Sequence, residues 1–146
     1  MISLIQRVTS ASVEVNGETV GAIDTGLLAL VAVEPGDGDA QAKRMCERLL
    51  GYRVFADDDG RMNRSLTEVG GGLLLVPQFT LAADTRKGMR PSFTTAATPA
   101  EGKRWFDRLV ELSVAMHFGV ATGRFGAHMQ VRLVNDGPAS FWLQVS

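Results

Sequence analysis

The residues best equipped for chemistry fall in two short runs. Gln78-Phe79-Thr80 closes an apolar stretch that begins at Leu73, and Arg86, Lys87 and Arg90 follow in a loop punctuated by Gly88 and Pro91. A buried strand that opens into a polar loop fixes a position and supplies reach, which is how folds commonly mount a site. Thr80 offers a lone hydroxyl. The backbone amides around Phe79 and Thr80 are the kind of donor a developing oxyanion needs. Threonine is also an ordinary strand residue, and spacing alone leaves both readings open. The three cations read either as a solvated turn or as a phosphate contact, which needs clustered charge more than net charge. Arg124 and Arg132 extend the cluster if the last strands lie alongside. The second run is Val134-Asn135-Asp136-Gly137-Pro138-Ala139-Ser140. Gly137-Pro138 reads as a turn between two strands, with trans the commoner isomer of an X-Pro bond.

Other chemistries find no pattern. There is no Gly-rich phosphate loop and no Gly-x-Ser-x-Gly elbow. His117 and His128 belong to different elements and make no ligand motif, so no metal and no cofactor is expected. His117 fits a helix C-terminus, where the dipole favours it. Asp57-Asp58-Asp59-Gly60 lacks calcium-loop spacing and its closing glutamate, so it reads as a solvated turn. Cys46 is the only cysteine, which excludes an internal disulfide and suits a reducing, cytoplasmic setting. The formal charge of −1 rules out a polyelectrolyte binder, and DNA is not an expected partner. Arg7 arrives too early for a signal peptide, and no apolar run nears the roughly 20 residues of a membrane span.

The 146 residues, 45% of them hydrophobic and 21% charged, read as one domain, 1–146. Residues 1–33 read as β. Asn16-Gly17 signals a type I′ hairpin, and Leu27–Val33 is apolar enough for a strand buried on both faces. After Pro35-Gly36-Asp37-Gly38, Asp39 is the expected N-cap of a helix. Ala42, Met45, Cys46, Leu49 and Leu50 form its inner stripe, and Gly51 is its expected C′ residue. Tyr52–Phe55 reads as a short strand, and Gly70-Gly71-Gly72 as a flexible lead into the central strand. Thr98-Pro99-Ala100-Glu101 is a capping box with proline at N1. The helix it opens runs to about His117, burying Trp105, Phe106, Leu109, Val110, Leu112 and Met116, and Gly119 stops it. Alternation from Met129 to Val145 predicts two closing strands. The fold expected is a mixed, strand-rich α/β domain with a barrel-like sheet packed by two main helices.

The run Gln78-Phe79-Thr80-Leu81-Ala82-Ala83-Asp84-Thr85-Arg86-Lys87-Gly88, with Arg90-Pro91-Ser92-Phe93, resembles the bacterial-type D-aminoacyl-tRNA deacylases. Thr122-Gly123-Arg124-Phe125-Gly126-Ala127, Val134 to Pro138, Ile5-Gln6-Arg7-Val8 and the Asn63, Ser65, Leu66 pattern match as well, so the resemblance covers essentially the whole chain. It implies a homodimer that hydrolyses the ester joining a D-amino acid, or glycine, to the terminal adenosine of tRNA. It implies a site where Gln78, Phe79 and Thr80 of one subunit meet Gly137 and Pro138 of the other. There it makes the Gly137-Pro138 bond cis, and the turn's carbonyls exclude an L side chain. Phe79 and Pro91 are expected to bracket the adenine, with Gln78 hydrogen-bonding nearby. Arg7, Arg86, Lys87, Arg90 and Phe93 are expected to contact substrate or tRNA. With no histidine or aspartate placed by motif as a base, backbone amides hold the oxyanion and the tRNA 2′-hydroxyl or a water attacks. Thr80 as a covalent nucleophile is the weaker version.

Three departures stand against the resemblance. Pro77 occupies the place of a usual serine, Ala139-Ser140 that of Val-Thr, and His128 that of a common aspartate. Pro77 and Ala139-Ser140 support the alternative of a non-catalytic module that binds the tRNA 3′ end. A general esterase is a third reading, and the basic loop favours an RNA-borne ester over it.

Overall fold

The computed structural model describes all 146 residues. Its longest pairing element is β1 (Ile2–Val15), which has β8 (Gln130–Gln144) along one edge. Its other edge is shared between β3 (Gly26–Ala32) and β2 (Glu18–Ile23). The β1–β2 turn is Asn16-Gly17, both at positive φ as a type I′ turn demands. Beyond β3 lie β6 (Gly72–Pro77) and β7 (Val120–Thr122), each parallel to its neighbour. The sheet order β2-β1-β3-β6-β7 curls until its ends meet. Gly21 of β2 lies so close to β7 that a Cβ there would sit 2.5 Å from the Thr122 carbonyl oxygen. The result is a mixed α/β fold with a nearly closed, barrel-like sheet.

Alternation divides the apolar residues between two cores. Leu27, Ala29 and Val31 of β3 and Leu73 and Leu75 of β6 face α1 (Asp39–Gly51) and α3 (Pro99–Met116). Leu28, Leu74 and Val76 face the barrel interior with Val8, Ala11 and Val13. These strands are buried on both faces, as their unbroken apolar runs require. Each fully buried leucine contributes about 2 kcal/mol, so the Leu73-Leu74-Leu75-Val76 run anchors the chain just before its polar turn. Cys46 lies within the helix-facing core, where burial pushes its thiol pKa up and makes it inert.

Several boundaries differ from expectation. Gly38, not Asp39, caps α1, and Gln41 reaches back to accept from its amide at 2.8 Å. Asp39 is thereby freed to bind Arg108 of α3 at 2.6 Å. Gly51 is the last helical residue, and the chain leaves through extended Tyr52. The strand expected over Tyr52–Phe55 is β4 (Phe55–Ala56), paired with β5 (Met62–Arg64) around the aspartate turn. A third, short helix, α2 (Leu66–Val69), precedes β6. Ser65 and Glu68 make a complete capping box for it, and Gly70 closes it at φ 66. Gly70 is therefore a cap rather than slack. The Thr98 half of the α3 box forms at 3.4 Å, but Glu101 turns to Trp105 Nε1 at 2.9 Å. Met116, expected inside, is 60% exposed on the last turn.

The largest difference lies in β8. A turn between two strands was expected at Asp136-Gly137-Pro138. Instead β8 is one strand that bulges without leaving β1. Ser10 faces Val134 and Gln6 faces Ser140, so four steps on β1 span six on β8. An excess of two preserves the in–out alternation, so odd-numbered residues point inward on both sides of the bulge, Leu133 onto the barrel core and Phe141 onto the helix-facing one.

Candidate active site

β6 delivers the first motif. The Gln78 amide donates to the Val31 carbonyl at 2.7 Å, the last rung on the β3 side. The chain then winds into a 3-10 turn, Phe79–Ala82, where a continued strand was expected. Leu81 donates to the Gln78 carbonyl at 3.2 Å and Ala83 to that of Thr80 at 3.1 Å. The N–H groups of Phe79 and Thr80 stand first in this turn and find no partner inside it. Thr80 is exposed, and its hydroxyl accepts from Gln78 Nε2 at 3.2 Å. No carboxylate or imidazole touches it. His117 sits on the Gly71 carbonyl at 2.7 Å, and His128 lies 3.4 Å from the Gln130 amide.

Pro77 explains why the other side of β6 stops as well. Leu73 donates to Gly119, and Gly123 donates to Leu75, so the next donor towards β7 would be residue 77. Proline has no N–H to give, and the carbonyl of buried Gly123 receives no backbone donor. Strand β7 ends at Thr122, and the following loop turns inward with Phe125.

That loop and the 3-10 turn wall a cavity of about 520 Å³. Its floor is Val31 and Val33, one side is Pro77, Gln78 and Phe79, and the far side is Thr98, Pro99 and Gly102 of α3. Two tilted aromatic pairs edge it: Phe79–Phe93, with centroids 5.2 Å apart, and Phe106–Phe125, 6.4 Å apart. Phe79 is 56% and Phe93 45% exposed, which is unusual for rings that have apolar neighbours. The arrangement suits a flat, largely apolar ring with polar edges. Sequence reasoning found Phe79 and Phe93 but missed Phe106 and Phe125. The signal was available in the Thr122–Ala127 motif, whose phenylalanine is its one large apolar residue.

The basic loop is closed by a reciprocal pair of backbone bonds between Asp84 and Ser92, at 2.8 and 3.0 Å. Within it the three cations separate. Arg86 is held in a two-pronged grip by Asp84, at 2.9 and 2.8 Å, which also takes the Arg86 amide at 3.0 Å. That grip holds the Asp84 carboxyl well below the usual carboxylate range. Lys87 and Arg90 are exposed, and neither pairs with a carboxylate. Pro91 is exposed beside them.

The second motif is built differently. Residues 136–139 of β8 bulge opposite Arg7. Arg7, expected to touch substrate, donates from Nη1 to the Val54 carbonyl at 2.6 Å and from Nε to the Asp136 carbonyl at 3.1 Å. Asn135 Oδ1 accepts from the Ala139 amide at 2.9 Å and its Nδ2 donates to Ser140 at 2.9 Å, closing the bulge from below. Gly137 adopts φ 129, its bond to Pro138 is cis, and both residues are exposed. The two motifs are mounted at different places along β1. The 3-10 turn packs Ala82 on Ile2 and Ala32, whereas the bulge faces Arg7, five residues along β1 and therefore about 16 Å away.

A curled mixed sheet thus carries two unpartnered amides, Phe79 on the wall of an aromatic-edged cavity and Thr80 beside it, with no nucleophile–base pair. Residues 4–144 match the family described as D-Tyr-tRNA(Tyr) deacylase, and the chain belongs to that family. It is 66% identical over 145 residues to a D-aminoacyl-tRNA deacylase of Thioalkalivibrio sulfidiphilus, covering 99% of this chain and 97% of the relative. It is 68% identical over 144 residues to one of Methylococcus capsulatus, covering 99% and 94%. A solved structure of a c-Myc DNA unwinding element binding protein superposes with TM-score 0.95 at 32% identity, covering 100% of this chain and 99% of that one. A probable eukaryotic D-amino acid tRNA deacylase shares the fold at TM-score 0.78 and 17% identity, with 97% and 98% covered.

Proposed function

We propose that the whole chain, 1–146, works as one D-aminoacyl-tRNA deacylase unit that assembles as a homodimer. Family membership makes it a hydrolase of aminoacyl-tRNA esters. The finer reading is that the cavity takes the terminal adenine between its aromatic pairs, which leaves the ester carbonyl over the 3-10 turn. The observation that carries it is the pair of unclaimed amides, Phe79 on the cavity wall and Thr80 next to it. Such donors stabilise the tetrahedral oxyanion while a water, oriented by the tRNA 2′-hydroxyl, attacks the carbonyl; the ester C–O bond then breaks and the ribose oxygen leaves with the proton the water gives up. The Thr80 hydroxyl lacks a base and is not the nucleophile. Gly137 and Pro138 of a second copy close the site and exclude an L side chain, so that D-aminoacyl and glycyl esters are accepted. The two motifs' mounting about 16 Å apart along β1 supports a gate supplied by the partner. No helix is long and apolar enough to cross a membrane, and tRNA as substrate favours the cytoplasm.

A deacylation time course on D-tyrosyl-tRNA and L-tyrosyl-tRNA at equal enzyme tests this. The D ester is expected to fall quickly while the L ester survives. Binding of tRNA without cleavage of either ester would replace this reading with a 3′-end binding module.

A further inference from the structure

The salt bridges sort the basic residues in a way the sequence did not. Six of the fifteen Lys and Arg side chains have no carboxylate partner: Arg48, Arg53, Arg61, Lys87, Arg90 and Arg124. Three of these six stand on the two segments that supply rings to the aromatic cavity. Lys87 and Arg90 stand on the loop that runs into Phe93, and Arg124 immediately precedes Phe125. Phe93 and Phe125 belong to different aromatic pairs, so exposed free cations stand on both of the segments that bring rings to the cavity. The neighbouring cations are withheld. Asp84 grips Arg86, and Glu14 pairs with Arg132.

We infer that Arg124, with Lys87 and Arg90 from the other segment, holds the phosphodiester that joins the terminal nucleoside to the rest of the tRNA strand. The inference rests on the proposed function, which seats that nucleoside in the cavity. A phosphate leaving an apolar, ring-binding cavity needs cations at the rim, and unpaired guanidinium groups meet phosphate oxygens with strong, charge-assisted bonds. The Arg124 backbone is already fixed, since its amide donates to Met129 Sδ at 3.4 Å. Only the side chain needs to order on binding. Arg86 and Arg132 are assigned no phosphate, because each would first have to release its own carboxylate.

The test uses two esters of one D-amino acid: D-tyrosyl-tRNA, and 2′(3′)-O-D-tyrosyl-adenosine, which has no phosphate. Arg124→Gln is expected to raise KM for the tRNA ester about tenfold with kcat held, and to leave the adenosine ester unchanged. The salt slope of log kcat/KM on the tRNA ester should flatten by about 0.7, the value for one contact to a single strand. Arg61→Gln, an equally free cation beside the aspartate turn, should change neither. Equal loss on both esters, or no loss on the tRNA ester, overturns the phosphate role and leaves the activity standing. Failure of the wild-type protein to cleave either ester overturns both readings.

Discussion

The two motifs make a useful contrast because one holds itself and the other is held. In the 3-10 turn and basic loop, most bonds that set the geometry are local, such as Leu81 to Gln78, Gln78 to Thr80 and Arg86 to Asp84, and the Gln78 amide on Val31 is the long-range exception. In the β8 bulge, local Asn135 bonds are joined by bonds from far along the chain. Arg7 reaches Asp136 across 129 positions and Val54 across 47. A turn held mostly by its own bonds presents its amides with less dependence on distant segments. A bulge held by another strand transmits any disturbance of that strand to the residues it displays. Catalytic groups on the first and a selectivity element on the second would therefore respond differently to mutation.

The sharpest way to break that contrast is Gly137→Ala. A Cβ at residue 137 would lie 2.8 Å from Arg7 Nη2, and φ 129 is a conformation L side chains rarely adopt. The strain is about 1–3 kcal/mol, and Arg7 must shift to relieve it. In a chain of this size the melting temperature should drop by roughly 3–10 °C while the fold survives. Misplacing the bulge by about 1 Å should cost on the order of 100-fold in kcat/KM on D-tyrosyl-tRNA. A folded variant with full activity and full rejection of the L ester would mean that the bulge is not the gate.

Thr80→Val asks the opposite question of the self-held turn. The substitution keeps the shape and the backbone N–H and removes a hydroxyl whose one partner is the Gln78 amide. If the amides carry the chemistry, kcat should stay within about threefold of the wild type. A loss of 100-fold or more would make the hydroxyl the working group and would require a base that the turn does not contain.

The same contrast explains what the sequence could convey. The doubly buried strands, the Asn16-Gly17 hairpin, Pro99 at the start of α3 and both chemical motifs follow from patterns a few residues long, and they were legible. So was the family, because its motifs are contiguous. The role of Arg7 was not, because it depends on β1 lying beside β8 with an excess of two residues. The cavity was half legible: Phe79 and Phe93 flank a readable loop, whereas Phe106 and Phe125 meet only once α3 has docked. Asp39 misled for a related reason. It is a good capping residue, but Arg108 on another helix claims its carboxylate. The strand end was misjudged because Pro77 removes one donor just where β7 stops, and that is visible only with the ladder in view.

The smallest expected effect tests whether the basic loop is truly self-held. Asp84 and Arg86 are two residues apart, and their hydrogen bonds lower the Asp84 pKa well beneath the usual range and raise that of Arg86. A carboxyl depressed in the folded state contributes stability above its unfolded pKa and loses it as pH falls through the folded one. The grip is therefore complete at neutral pH and opens only in acid below the ordinary aspartate range. Between about pH 5 and 9 it should add no pH dependence to activity. Its contribution to global stability should also be small, because the pair is exposed and such pairs are screened by solvent. Partners so near in sequence also keep part of their attraction in the unfolded chain. Following the Asp84 carboxyl carbon by NMR should give a titration below the ordinary aspartate range, and Arg86→Gln should return it towards the ordinary value while the melting temperature barely moves. An unshifted titration in the wild type would mean that Arg86 is not held by Asp84. It would then be as free as Lys87 and Arg90 to meet phosphate, and the loop would carry three working cations instead of two.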